Sequence, residues 1–159
     1  IMLSALENKQ IIELIKREVV PAIGCTEPIA VSLCVAKAKE VLGESPDRIK
    51  VLLSANILKN AMGVGIPGTK MVGLPIAIAL GALIGKSDYG LQVLKDLKPA
   101  DVETGKQYIS EKRIEIALKD DISDNLYIEA HCYKDKEEST AIIRANHTNI
   151  SFISKKLGS

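Results

Sequence analysis

Leu126-Tyr127-Ile128-Glu129-Ala130-His131-Cys132-Tyr133 decides how this chain is built. Leu126, Ile128, Ala130 and Cys132 recur at every second position, the period of a strand with one buried face. Tyr127, Glu129 and His131 fall on the opposite face, where a solvated surface is expected. A strand candidate precedes this run at residues 113–118, and another follows at residues 140–145. Residues 134–139 between the last two read as a hairpin connection. The final third is therefore a set of antiparallel strands.

Upstream the period changes from two to that of a helix. Ser4 and Glu7 have capping-box spacing ahead of Ile11, Leu14, Ile15 and Val19 on one helical face, and Pro21 ends that helix. Thr26 is a good N-cap for a second helix, with Glu27 in its first turn and Pro28 close behind. That helix runs to about Leu42, with Gly43 as its stop. Residues 49–55 read as a buried strand and residues 56–62 as a short helix, followed by a Gly/Pro loop at 63–68. Residues 73–84 form an apolar helix rich in small residues and suited to close packing. Residues 89–94 and 99–110 are further helical candidates, the second weakened by Gly105. Helices first and antiparallel strands later indicate an α+β fold with a small, mostly antiparallel sheet. Residues 1–152 form a single domain on this reading. Residues 153–159 have nothing to pair with and read as the start of a connection to further chain.

Composition removes several function classes. The 159 residues carry a formal charge of +1, with 47% hydrophobic and 26% charged residues, an ordinary globular balance. No basic stripe with interleaved aromatics marks a nucleic-acid surface. The longest apolar stretch, residues 71–84, falls short of the roughly 20 residues a membrane-spanning helix needs, so no membrane partner is expected. The three cysteines, Cys25, Cys34 and Cys132, form no CxxC pair, which suits a reducing cytoplasm. No Cys/His spacing resembles a zinc ligand set, and these cysteines make no local iron–sulfur motif.

Cys25 stands one position before the expected N-cap of the second helix. The amide groups and dipole at such an end favour a thiolate and lower a thiol below about 8.5. A buried small hydrophobe in a turn is the other reading of a lone cysteine. Cys34 and Cys132 are in register with core positions. Asn56, Lys59 and Asn60 share one helical face, where two amides and an ammonium suit an amino-acid carboxylate. A solvated face is the plainer alternative. Gly63, Gly65 and Gly68 match a dinucleotide fingerprint only literally, because a helix separates them from the strand and Pro67 interrupts the turn. Thr69-Lys70 reverses the phosphate-loop order. His147-Thr148-Asn149 reads as a turn or Asx cap after the last strand.

Four of these segments, taken in order, resemble the L-cysteine desulfidase and serine dehydratase-like family. They are Pro21-Ala-Ile-Gly-Cys25-Thr26-Glu27-Pro28, the segment from Ser54 to Asn60, the glycine loop from Val64 with its apolar helix, and the stretch from Arg144 to Ile150. The resemblance covers nearly the whole chain from Glu18 to about Phe152, and Gly-Cys-Thr-Glu-Pro is its most specific part. It implies a lyase that removes the β-substituent and amino group of L-cysteine or L-serine, giving pyruvate, ammonia, and sulfide or water. It also implies a [4Fe–4S] cluster as Lewis acid, held by a C-terminal serine dehydratase α-type domain that these residues do not include. The chain alone is thus expected to bind no cluster and to be inactive. By position, Cys25 is the candidate base, with cluster ligation as the alternative. Thr26, Glu27, Asn56, Lys59, Asn60, His147, Thr148 and Asn149 are the candidates for holding a small amino-acid substrate. A homodimer is the expected assembly. A rival reading is an amino-acid-binding regulatory module with no catalytic residues. A third is a scaffold domain packing through residues 73–84.

Overall fold

In a computed structural model of the chain, residues 26–62, 65–66 and 71–157 are described. The expected helix before Pro21, and Cys25 itself, lie outside them. The fold is α+β, as the change of period predicted.

Helix α1 spans Thr26–Leu42, with Glu27 in its first turn, where a negative side chain suits the helix dipole. It stops at Gly43, whose φ of +88° is left-handed and whose amide donates to the Lys39 carbonyl at 3.0 Å. Strand β1 (Arg48–Leu53) leads directly into α2 (Ala55–Met62). The strand ends two residues before the expected Ala55, because the Ser54 hydroxyl accepts from the Ile57 amide at 3.4 Å and starts the helix. Part of the Gly/Pro loop is a short hairpin, with β2 (Gly65–Ile66) antiparallel to β3 (Met71–Val72).

Helix α3 (Gly73–Ile84) matches its expected span. A 3-10 segment, Ser87–Gln92, replaces the expected helix at 89–94, and Gly90 interrupts it with φ +58°. Helix α4 (Pro99–Ser110) forms despite Gly105, which lies against Ile76, Ala79 and Leu80 of α3. The missing side chain there lets the two helices approach.

The last third supplies β4 (Ile114–Leu118), β5 (Tyr127–Lys134), β6 (Glu137–Arg144) and β7 (Ile150–Leu157). The sheet order is β4-β1-β5-β6-β7, with β1 and β4 parallel and every other pair antiparallel. Two expectations need correction here. The hairpin turn is shorter than residues 134–139, since Lys134 already pairs with Glu137 and Asp135 takes φ +52°. The tail from Phe152, expected to find no partner, is most of the outer strand β7, whose residues pair with β6 from Glu137 to Ile143. Alternation is poor in β7 because most of its side chains are exposed on both faces, so the period of two carries no signal there.

Helices α1 and α3 cover one face of the sheet. Ile49, Val51 and Leu53 of β1, Ile128, Ala130 and Cys132 of β5, and Ala141 and Ile143 of β6 point into that core. Where α1 crosses α3, the backbones touch. Ser32 Oγ donates to the Ala77 carbonyl at 2.7 Å, and a methyl on Gly81 would stand 2.6 Å from the Ser32 carbonyl oxygen. Among the described residues no helix is long and apolar enough to cross a membrane.

Candidate functional site

One end of the sheet gathers most of the described candidate residues. β1 and β6 finish there, and β5 begins, because Leu53 is opposite Ile128 and Arg144 is opposite Tyr127. Helix α1 points its first turn at the same end. Its Cys34 thiol donates to the Ala141 carbonyl at 3.2 Å, and Ser139 Oγ, at the other end of the sheet, donates to the Ala38 carbonyl at 2.6 Å.

Glu27 and His147 meet at this end. Glu27 Oε1 is 4.0 Å from His147 Nε2, with the two side chains 20% and 37% exposed. His147 stands on the turn between β6 and β7, which is closed by its own polar groups. Ala145 takes φ +77°. Asn146 Oδ1 accepts from the Thr148 amide at 3.1 Å and the Thr148 hydroxyl at 3.2 Å. Asn149 Nδ2 donates to the Arg144 carbonyl at 2.8 Å. The Asx-turn reading of this segment holds. Thr148 and Asn149 spend their hydrogen bonds on the turn, leaving His147 as the member that faces another element.

Asn56, Lys59 and Asn60 lie together on the exposed face of α2, with Asn60 Nδ2 3.5 Å from Asn56 Oδ1. Among the described residues no hydrogen bond or ion pair joins them to the Glu27–His147 pair. Thr26 is the first residue of α1. Cys25, the candidate base, is outside the described residues.

The other cysteines are core residues, as their register predicted. Burial pushes the Cys34 thiol far up and the Cys132 thiol up to about 12. Among the described residues no three His, Cys, Asp or Glu side chains are placed to hold a metal ion. Two sealed thiols bonded to the protein do not fit as ligands of an iron–sulfur cluster.

A second polar cluster was missed. His131 is half-buried, not fully solvated. With the buried Tyr127 and Glu129 it forms a largely buried network on the sheet face opposite the helices. Glu129 Oε1 accepts from Tyr127 Oη at 2.6 Å and lies 3.2 Å from Lys119 Nζ, and His131 Nε2 is 2.5 Å from Glu129 Oε2. The Thr140 hydroxyl is 2.9 Å from His131 Nδ1, and Glu138 Oε1 is 3.4 Å from the same nitrogen. Burial pushes the Glu129 carboxyl up, but the hydrogen bonds from Tyr127, His131 and Lys119 outweigh it and hold the group below the usual carboxylate range. Burial and the adjacent Glu129 push the Tyr127 hydroxyl well up. The signal was in the alternation: three hydrogen-bonding side chains at consecutive same-face positions satisfy one another and leave water.

No family model and no solved structure matches this chain. It is similar to a UPF0597 protein of Bacteroides fragilis, 68% identical over 149 residues, which are 94% of this chain and 35% of that protein. A UPF0597 protein of Clostridium tetani is 45% identical over 91% of this chain and 34% of its own length. One of Aeromonas hydrophila is 45% identical over 87% of this chain and 31% of its own length. The chain spans about a third of the length of the curated relatives it matches. The shared name states no substrate or reaction.

Proposed function

We propose that this chain supplies the proton-handling and substrate-holding side of a lyase that performs α,β-elimination on a small amino acid, L-cysteine or L-serine. The observation that supports it is the meeting of Glu27 and His147 at the first turn of α1, directly after Cys25 in sequence. Two segments that the family resemblance singles out separately are thereby neighbours in space.

A cysteine at this point of the chain precedes a helix whose dipole favours a thiolate. As a thiolate, Cys25 takes the proton from Cα of the substrate. The electron pair left on Cα forms the Cα–Cβ double bond and expels hydrosulfide or hydroxide from Cβ. The product, 2-aminoacrylate, tautomerises to the imine, and one water converts it to pyruvate and ammonia. His147, oriented by Glu27, holds the substrate carboxylate, and Asn56, Lys59 and Asn60 offer further donors. The resemblance gives activation of the leaving group to a [4Fe–4S] cluster. Cys34 and Cys132, buried and bonded within the core, do not fit as its ligands, and the steps above concern the proton and the substrate alone.

The test is turnover by the full-length protein that contains this segment, assayed without oxygen as pyruvate formed from L-cysteine or L-serine. General base catalysis contributes roughly 100- to 10,000-fold, so Cys25→Ala should lose at least about 100-fold in kcat. His147→Gln should raise KM. Unchanged turnover in Cys25→Ala would remove the base and favour the amino-acid-binding module, which calorimetry with L-cysteine would then detect.

A further inference from the structure

Residues 119–126 cross the same end of the sheet and touch both halves of the candidate site. The Asp124 carboxylate accepts two hydrogen bonds from Arg144, Nε to Oδ2 at 3.1 Å and Nη2 to Oδ1 at 2.6 Å. This two-point fork fixes direction as well as distance. Arg144 is the last residue of β6, and its main chain is the base of the His147 turn. Its amide donates to the Asn149 carbonyl at 3.3 Å, and its carbonyl accepts from Asn149 Nδ2. Its guanidinium also lies 5.1 Å from the Tyr127 ring centre, so the clamp is seated on the start of β5.

The next residue in the loop holds the other half. The Asn125 carbonyl accepts from Ser54 Oγ at 2.8 Å, and the same hydroxyl accepts from the Ile57 amide in the first turn of α2. Adjacent residues thus reach the turn bearing His147 and the helix bearing Asn56, Lys59 and Asn60. Those two segments have no bond to each other among the described residues; this loop bonds to both, beside the sheet itself, where the Ser54 amide donates to the Tyr127 carbonyl at 3.0 Å and Tyr127 pairs with Arg144.

We infer that Asp124 is a positioning residue that sets His147 against Glu27, with the Asn125 carbonyl setting α2 from the same loop. This deepens the proposed function, because it names what orients the site's histidine. The geometry it claims exists whether or not the protein is a lyase.

The test is nuclear Overhauser contact between the His147 ring and the Glu27 side-chain methylenes in the purified chain. In the wild type the contact should be visible. Asp124→Asn should abolish it and shift the amide signals of residues 145–149. Arg144→Lys keeps the charge but loses the fork, and it should do the same. Asp47→Asn breaks a comparable surface pair with Lys134 elsewhere, and it should leave the contact intact. If Asp124→Asn does not fold, Arg144→Lys decides. A contact that persists in whichever Asp124 or Arg144 variant folds, with only a lowered Tm, overturns the inference, since Asp124 would then support stability and nothing more. Because turnover is not measured, this failure is distinct from an unchanged Cys25→Ala.

Discussion

Gly81→Ala tests whether the backbones of α1 and α3 are in contact where the two helices cross. An alanine methyl at this site would stand 2.6 Å from the Ser32 carbonyl oxygen, 3.0 Å from Ser32 Cα and 3.2 Å from its carbonyl carbon. All three are main-chain atoms of a buried helix, so no side chain can swing away. The helices must separate. Overpacking of this kind costs about 1–3 kcal/mol. Separation also stretches the buried bond from Ser32 Oγ to the Ala77 carbonyl, and a lost hydrogen bond costs about 1 kcal/mol. Alanine returns about 1 kcal/mol through its helix propensity. The net expectation is a loss of about 1–3 kcal/mol. With a urea dependence of about 2 kcal/mol per molar, the unfolding midpoint should fall by roughly 0.5–1.5 M.

Gly105→Ala is the control. A methyl there meets Ile76 Cδ1 at 3.0 Å and Leu80 Cδ2 at 3.4 Å, the free ends of two side chains that can move. The same propensity gain applies, so that variant should stay within about 1 kcal/mol of the wild type. Equilibrium urea unfolding followed by far-ultraviolet circular dichroism measures both. If Gly81→Ala matches or exceeds wild-type stability while m is unchanged, the two backbones are not in contact and the reasoning is wrong.

The Glu129 carboxyl is held below its usual range, so its stabilising share is present above the unfolded value, near about 4.3, and is lost as pH falls through the lower folded value. Glu129→Gln should therefore lower Tm at neutral pH and show a shallower decline between about pH 5 and pH 3; parallel curves would remove the network from the stability argument. Cys34 and Cys132 should resist alkylation at about pH 8 in the folded chain and label only on unfolding, as mapped by peptide mass. Labelling of either in the native chain at the unfolded rate would contradict their burial.

The readable parts of the fold were the locally encoded ones. Gly73–Ile84 and Pro99–Ser110 are delimited by residues with strong local preferences, and the Gly43 end of α1 follows from cap chemistry, whereas Thr26, expected as the N-cap, is the first residue of the helix. β7 escaped because an outer strand exposed on both faces has no hydrophobic period, and only its pairing with β6 makes it a strand. His131 was misassigned for a related reason. Alternation assigns a face, and a face without helices was equated with water. Glu129 and Thr140 bond the ring, and Tyr127 bonds Glu129, which holds His131 half-buried without any covering layer.

The two polar clusters suit different roles. The Glu129 network lies on a sheet face with its buried polar atoms already paired to one another. At the sheet end the strands stop, and side chains that are not committed to the sheet come together: His147 beside Glu27, with Asn56, Lys59 and Asn60 exposed on α2. Binding an amino acid needs polar groups with unused hydrogen bonds, and the proposed function draws on the exposed groups of the second place for that reason. No local pattern could reveal this, because the sheet end is assembled by contacts across most of the chain, from Glu27 to His147 and from Ser54 to Asn125. The proposed site therefore rests on loop contacts. A variant that weakens residues 119–126 should disturb the site long before it disturbs the core.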